Sequence, residues 1–159
     1  MKRTKRLLIA VLFIVSCPVL AGETFVLVGP AVGNVQSKNR HLYGSLELRH
    51  LFHSWGKLTL GAGGALEVSS RENYAGLNLT LQYTFSSRWS ASLTSGPGRY
   101  SDHVLNLGSH LEFRSGLEVF YDFGKGYRLG LGYFHYSNGG VARHNPGTES
   151  VRLALVIPL

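Results

Sequence analysis

Apolar residues occupy every second position over long stretches of this chain. Ala75, Leu77, Leu79, Leu81, Tyr83 and Phe85 alternate with Gly76, Asn78, Thr80, Gln82 and Thr84. A period of two marks a strand with one apolar and one polar face. The pattern recurs. Leu42, Leu46 and Leu48 alternate with Ser45, Glu47 and Arg49, and Leu58, Leu60, Ala62, Leu66 and Val68 with Thr59, Gly61, Gly63 and Glu67. Trp89, Ala91 and Leu93 alternate with Ser90, Ser92 and Thr94, and Leu111, Phe113, Leu117 and Val119 with Glu112, Arg114, Gly116 and Glu118. The last stretch sets Val151, Leu153, Leu155 and Ile157 against Ser150, Arg152 and Ala154. With Phe25–Val28 at the start and Tyr127–Ser137 before the end, the pattern predicts eight strands. The longer ones reach about ten residues, the length with which a tilted strand crosses a bilayer.

The predicted connections alternate in length. His53–Gly56, Ser86–Ser87 and Asp122–Gly126 are short; Gly29–Arg40, Gly96–Gly108 and Asn138–Gly147 are long, and Ser69–Asn73 is intermediate. Short turns at one end and long loops at the other are the habit of outer-membrane barrels with both termini in the periplasm. The polar face carries Glu47, Arg49, Glu67, Glu112, Arg114, Glu118, Arg128 and Arg152. Gathered in one interior, these charges can pair, and an eight-stranded barrel is filled by such side chains. Tyr83, Phe85, Trp89, Tyr121 and Tyr127 fall near the short turns, as an interfacial girdle would. The expectation is an all-β, eight-stranded antiparallel transmembrane β-barrel of the outer-membrane type, with a filled interior and its leucine face in lipid. The alternative is a soluble lipocalin-like barrel with the leucine face inward. The ending Ile157-Pro158-Leu159 lacks the terminal aromatic common in outer-membrane barrels.

The N-terminus reads as a signal peptide over residues 1–21, leaving 22–159 as one barrel domain. Lys2, Arg3, Lys5 and Arg6 form a basic region and Leu7–Val15 an apolar one too short to span a bilayer. Val19-Leu20-Ala21 supplies a cleavage site, while Ile14-Val15-Ser16-Cys17 offers the competing reading of a lipobox with Cys17 lipidated. The leader holds four of the 16 basic residues and none of the nine acidic ones, so its removal leaves 12 against nine and lowers the net charge from +7 to +3. Nucleic-acid binding thereby loses its support. Cys17 is the only cysteine, so no disulfide holds the rest together.

Candidate chemistry lies in the last hairpin. On strand seven, His135 and Ser137 continue the outward stripe of Leu129, Leu131 and Tyr133. On strand eight, Glu149 continues the stripe of Val151, Leu153 and Leu155. A hairpin symmetric about the Asn138–Gly147 loop sets His135 opposite Glu149, with Cβ atoms about 4.5–5.5 Å apart. These are a nucleophile, a base and an orienting carboxylate. Asn138, by side chain or backbone, and the amides of Gly139 and Gly140 are at hand for an oxyanion, and Asn145 can fold back across the site. Ordinary polar rim residues are the competing explanation of all three. His41, His50, His53, His103, His110 and His144 read as rim or loop residues, and His50 with His53 lacks further metal ligands at a sensible spacing. No cofactor or metal is called for.

His135-Tyr136-Ser137-Asn138-Gly139-Gly140, followed by Asn145-Pro146-Gly147-Thr148-Glu149-Ser150, resembles the signature of the lipid A 3-O-deacylases of the PagL family. The motif covers the last two strands and their loop, and the barrel layout agrees over residues 22–159. The resemblance implies Ser137 as nucleophile, His135 as base, Glu149 as orienter, Asn138 in or beside the oxyanion hole and Asn145 in support. One departure is that Pro146 follows Asn145, where the family tends to place proline before it. The resemblance further implies an outer-membrane esterase that removes the 3-O-linked hydroxyacyl chain of lipid A, with its site toward the outer leaflet. Arg99, Arg143 and His144 are then candidates for the lipid A phosphates, or simply solvated loop charges. The rival is a non-catalytic structural or adhesive barrel.

Overall fold

The computed structural model describes residues 22–102 and 105–159. The expected signal peptide, Cys17 and His103 lie outside the described residues. Eight strands follow in order: β1 (Glu23–Gly33), β2 (His41–Trp55), β3 (Leu58–Val68), β4 (Glu72–Thr84), β5 (Trp89–Asp102), β6 (Leu111–Gly124), β7 (Tyr127–Ser137) and β8 (Thr148–Pro158). Each pairs antiparallel with the next, and β8 pairs with β1 to close the barrel. Closure leaves no unpaired edge, the condition for a sheet in hydrocarbon. Connections 34–40, 69–71, that after β5, and 138–147 lie at one end, with the short turns 56–57, 85–88 and 125–126 at the other.

Several strands run a few residues into the predicted connections, and two run further. β1 continues to Gly33 and β5 to Asp102, although both contain a Gly-Pro pair that the pattern reads as loop. Proline has no N–H to give a ladder and is tolerated where the ladder is interrupted. Pro30 keeps its place opposite Gly44 on β2, and the β1–β8 pairing skips from Val28 to Ala31. Pro97 likewise pairs with Phe113 on β6, while the β4–β5 pairing breaks around it. At each break a neighbouring carbonyl closes on the preceding glycine. A Cβ on Gly29 would run into the Leu153 carbonyl oxygen, and one on Gly96 into that of Leu77.

The two faces are those the alternation predicts. Leu42, Leu77, Leu79, Leu93, Leu117, Leu131 and Leu153 are exposed on the outside. Glu47, Arg49, Glu67, Glu112, Arg114, Glu118 and Arg152 are buried inside. This is the reverse of a soluble barrel, whose apolar face would line the interior. Arg49 bridges Glu47 (2.6 Å) and Glu118 (2.5 Å), and Arg152 bridges the same two carboxylates. Arg114 pairs with Glu67 at 3.0 Å and lies over the Phe134 ring. Apolar and aromatic side chains pack on both sides of this layer: Phe25, Leu27, Leu51, Phe120 and Val156 in one cluster, Tyr74, Tyr100, Leu107 and Tyr136 in another. Outside, Trp89 packs edge-on against Tyr121 beside the short turns, and Arg88 donates to the Tyr121 hydroxyl at 2.9 Å.

Candidate active site

The geometry starts from alternation along β7. Tyr136 points inward, buried, and its hydroxyl donates to Glu67 at 2.6 Å. Its neighbours His135 and Ser137 are thereby directed outward. The β7–β8 register pairs His135 with Glu149, the partner a symmetric hairpin predicts. His135 Nδ1 lies 3.2 Å from Glu149 Oε1, on the outer surface of the barrel. An ionised carboxylate only accepts, so the proton of a neutral imidazole sits on Nδ1 and leaves Nε2 as a free base.

The connection after β1 braces this pair. The Val35 amide donates to the Glu149 carbonyl at 3.1 Å. Gln36 Nε2 donates to the hydroxyl of Tyr133, one step down the His135 stripe, at 3.0 Å. Neither contact is visible in the alternation, since both cross from the first loop to the last hairpin. Gly147 closes the loop that leads into β8. Its φ is +67°, and an added Cβ would stand 2.8 Å from His135 Cε1 and 3.4 Å from Nε2. The bare backbone at Gly147 thus makes room for the imidazole.

Ser137 ends β7 opposite Phe113 of β6 and is partly exposed. Among the described residues its hydroxyl makes no hydrogen bond to His135. Asn138 is fully buried, and its side chain knots the loops: Nδ2 donates to the carbonyls of Leu107 (2.9 Å) and His144 (2.8 Å), and Oδ1 accepts from the Gly140 amide (3.0 Å). Asn145 does fold back, its Oδ1 accepting from the Asn138 amide at 3.1 Å. The amides of Asn138 and Gly140 are therefore engaged. That of Gly139, in the left-handed region at φ +61°, has no partner among the described residues.

The other singled-out histidines lie elsewhere. His50 bonds Thr24 at 2.9 Å, His53 packs on Trp55, and His41 pairs with Glu72 at 3.0 Å. Among the described residues no group of three or more His, Cys, Asp or Glu side chains is arranged to hold a metal. Arg99 and Arg143 are exposed toward the loop end, whereas His144 contributes its carbonyl to Asn138.

Fold and surface define an outer-membrane β-barrel with a polar cluster set into its lipid-facing wall. Solved barrels share that fold. The outer membrane enzyme PagL superposes with a TM-score of 0.67 at 22% identity, over 87% of this chain and 100% of that one. Ail, the attachment invasion locus protein of Yersinia pestis, gives 0.56 at 11% identity over 87% and 99%. Neisserial surface protein A gives 0.55 at 13% identity over 84% and 94%. No curated protein sequence matches the chain. The model of the family described as lipid A 3-O-deacylase (PagL) matches residues 34–158, and the chain belongs to that family. It is therefore a carboxylic ester hydrolase of the outer membrane, and the alternative of a non-catalytic barrel falls away.

Proposed function

We propose that this protein removes the 3-O-linked hydroxyacyl chain of lipid A through Ser137, His135 and Glu149, on the lipid-facing rim turned to the outer leaflet. The observation that carries this reading is the His135–Glu149 contact of 3.2 Å on the stripe otherwise formed by Leu129, Leu131, Leu153 and Leu155. A polar dyad there suits an ester that the membrane itself presents. Acyl chains would lie along the leucines and the sugar would stand at the rim.

Ser137 Oγ attacks the ester carbonyl carbon while His135 Nε2 takes its proton. Glu149 holds Nδ1–H and stabilises the imidazolium. The tetrahedral oxyanion is met by the Gly139 amide, the one backbone donor in 138–140 without a partner among the described residues. Its collapse breaks the bond to the sugar oxygen, which leaves with the proton from His135. Water, deprotonated by the same nitrogen, then releases the acyl group from Ser137. Asn138 and Asn145 support this arrangement by fixing the loop. Arg99 and Arg143 are placed for the phosphates, and residues 1–21 serve as the export signal.

Mass spectrometry of lipid A from cells expressing the wild type should show loss of one hydroxyacyl group. Ser137→Ala and His135→Asn should leave lipid A intact while the barrel still folds. Continued loss of that chain with either variant would overturn the assignment of roles.

A further inference from the structure

One interruption of the lipid-facing surface is not explained by the triad. Ser95 on β5 and Ser115 on β6 stand directly opposite each other, both exposed, their hydroxyls 2.8 Å apart. Apolar side chains flank the pair along both strands. On their own stripes Leu93 and Leu117 lie on one side, and Pro97, Phe113 and Leu111 on the loop side. In the next strand the Ser95 position is matched by Leu79. Ser115 in turn stands opposite His135. Ser95, Ser115, His135 and Glu149 thus form one polar row across four adjacent strands, set into an apolar wall and ending at Leu79.

Two hydroxyls that bond each other use one donor and leave the other O–H without an acceptor. Neither has another partner among the described residues. Facing hydrocarbon, that hydrogen carries a desolvation cost that a ligand acceptor would remove. The position says which ligand group can reach it. Ser115 is the diagonal neighbour of Ser137, about 7–8 Å away between backbones and less between side chains. A hydroxyl three bonds from the carbonyl carbon under attack, together with one hydrogen bond of about 2.8 Å, spans that distance.

We propose that Ser115, held by Ser95, is a specificity-determining subsite that receives a hydroxyl on the β-carbon of the acyl chain being released. It selects hydroxylated chains over plain ones. This rests on the Ser137 assignment above. The chain enters with its carbonyl at Ser137, its β-hydroxyl on Ser115 and its tail running down past Leu117 and Leu131.

The test uses two glucosamine lipids that differ only in the β-hydroxyl of the 3-O-acyl chain. Each is presented in mixed detergent micelles to the refolded full-length barrel, with heat-modifiable gel mobility as the check on folding. The wild type should favour the hydroxylated lipid in kcat/KM by about five- to tenfold, the worth of one neutral hydrogen bond. In Ser115→Ala that ratio should fall toward one, Ser115→Thr should restore it, and Ser95→Ala should lower it part of the way. A wild type that cleaves both lipids equally, or a Ser115→Ala variant that keeps the ratio, would overturn the subsite and leave the triad standing. Cleavage of neither lipid by the folded wild type would overturn the triad and the subsite with it.

Discussion

Glu149 Oε1 lies 3.2 Å from His135 Nδ1 across the β7–β8 ladder, and both side chains face away from the barrel interior. Inside the same wall, carboxylates and guanidiniums pair in a layer closed to solvent. Outside, the dyad and the Ser95–Ser115 pair beside it interrupt an otherwise apolar wall. A purely structural ion pair has an interior available to it. An outward pair is useful when the group it acts on arrives laterally through the membrane.

The three side chains should contribute unequally. On the proposed mechanism Ser137→Ala removes the atom that bonds to the acyl carbon, and it should reduce release of the chain to background. Glu149→Ala leaves a nucleophile and a base with the wrong tautomer partly populated. Loss of the orienting carboxylate is expected to be roughly a factor of ten to a hundred less severe than loss of the nucleophile. Single-turnover rates on purified lipid A would check this, and equal rates for the two variants would refute the role of Glu149.

Gly147→Ala should damage activity without unfolding the barrel. The substitution strains a backbone at φ +67° and places a methyl 2.8 Å from His135 Cε1. The imidazole must swing off the Glu149 axis. A displacement near 1 Å in a reacting group costs about a hundredfold in rate. The expected signature is a fall in kcat with KM held, in a barrel of wild-type gel mobility.

Asn138→Ala should loosen the loop end of the barrel. The side chain donates to the carbonyls of Leu107 and His144 and accepts from Gly140, so three backbone groups lose their partner together. Leaving buried polar groups unsatisfied costs about 1–3 kcal/mol each. Limited proteolysis should then cut within 138–147 or the connection after β5 faster than in the wild type. Asn138→Asp keeps the acceptor for Gly140 but loses both donors, and should behave like the alanine variant. If neither variant changes the cleavage rate, Asn138 does not hold the loops.

Much of this was legible in sequence because a barrel strand writes its two faces at a fixed period. The order of strands, the charged interior and the outward placement of His135, Ser137 and Glu149 all follow from odd and even positions. Pro30 and Pro97 hid the true ends of β1 and β5, since a proline reads as a break unless the gap in the partner ladder is known. The anchoring of Asn138 on Leu107, and of Tyr133 by Gln36, joins segments far apart in the chain and has no local signal. Ser115 is different. It sits openly in the stripe Leu111, Phe113, Leu117, Val119, but its meaning depends on the β5–β6–β7 register that puts it between Ser95 and His135.

The buried charge layer should be the most sensitive part of the fold. Glu118 accepts from both Arg49 and Arg152, and all three are nearly inaccessible to solvent. Glu118→Leu leaves the buried guanidiniums of Arg49 and Arg152 to share Glu47 with Arg114, one carboxylate among three cations. Removing one partner of a buried ion pair costs about 3–5 kcal/mol. Urea unfolding of the barrel in lipid vesicles should show a midpoint lowered accordingly, with the slope unchanged. Arg88→Leu removes a single exposed contact to Tyr121 and should shift the midpoint by under about 1 kcal/mol equivalent. Equal shifts for the two variants would mean that the interior layer is no more important to stability than a contact at the turn.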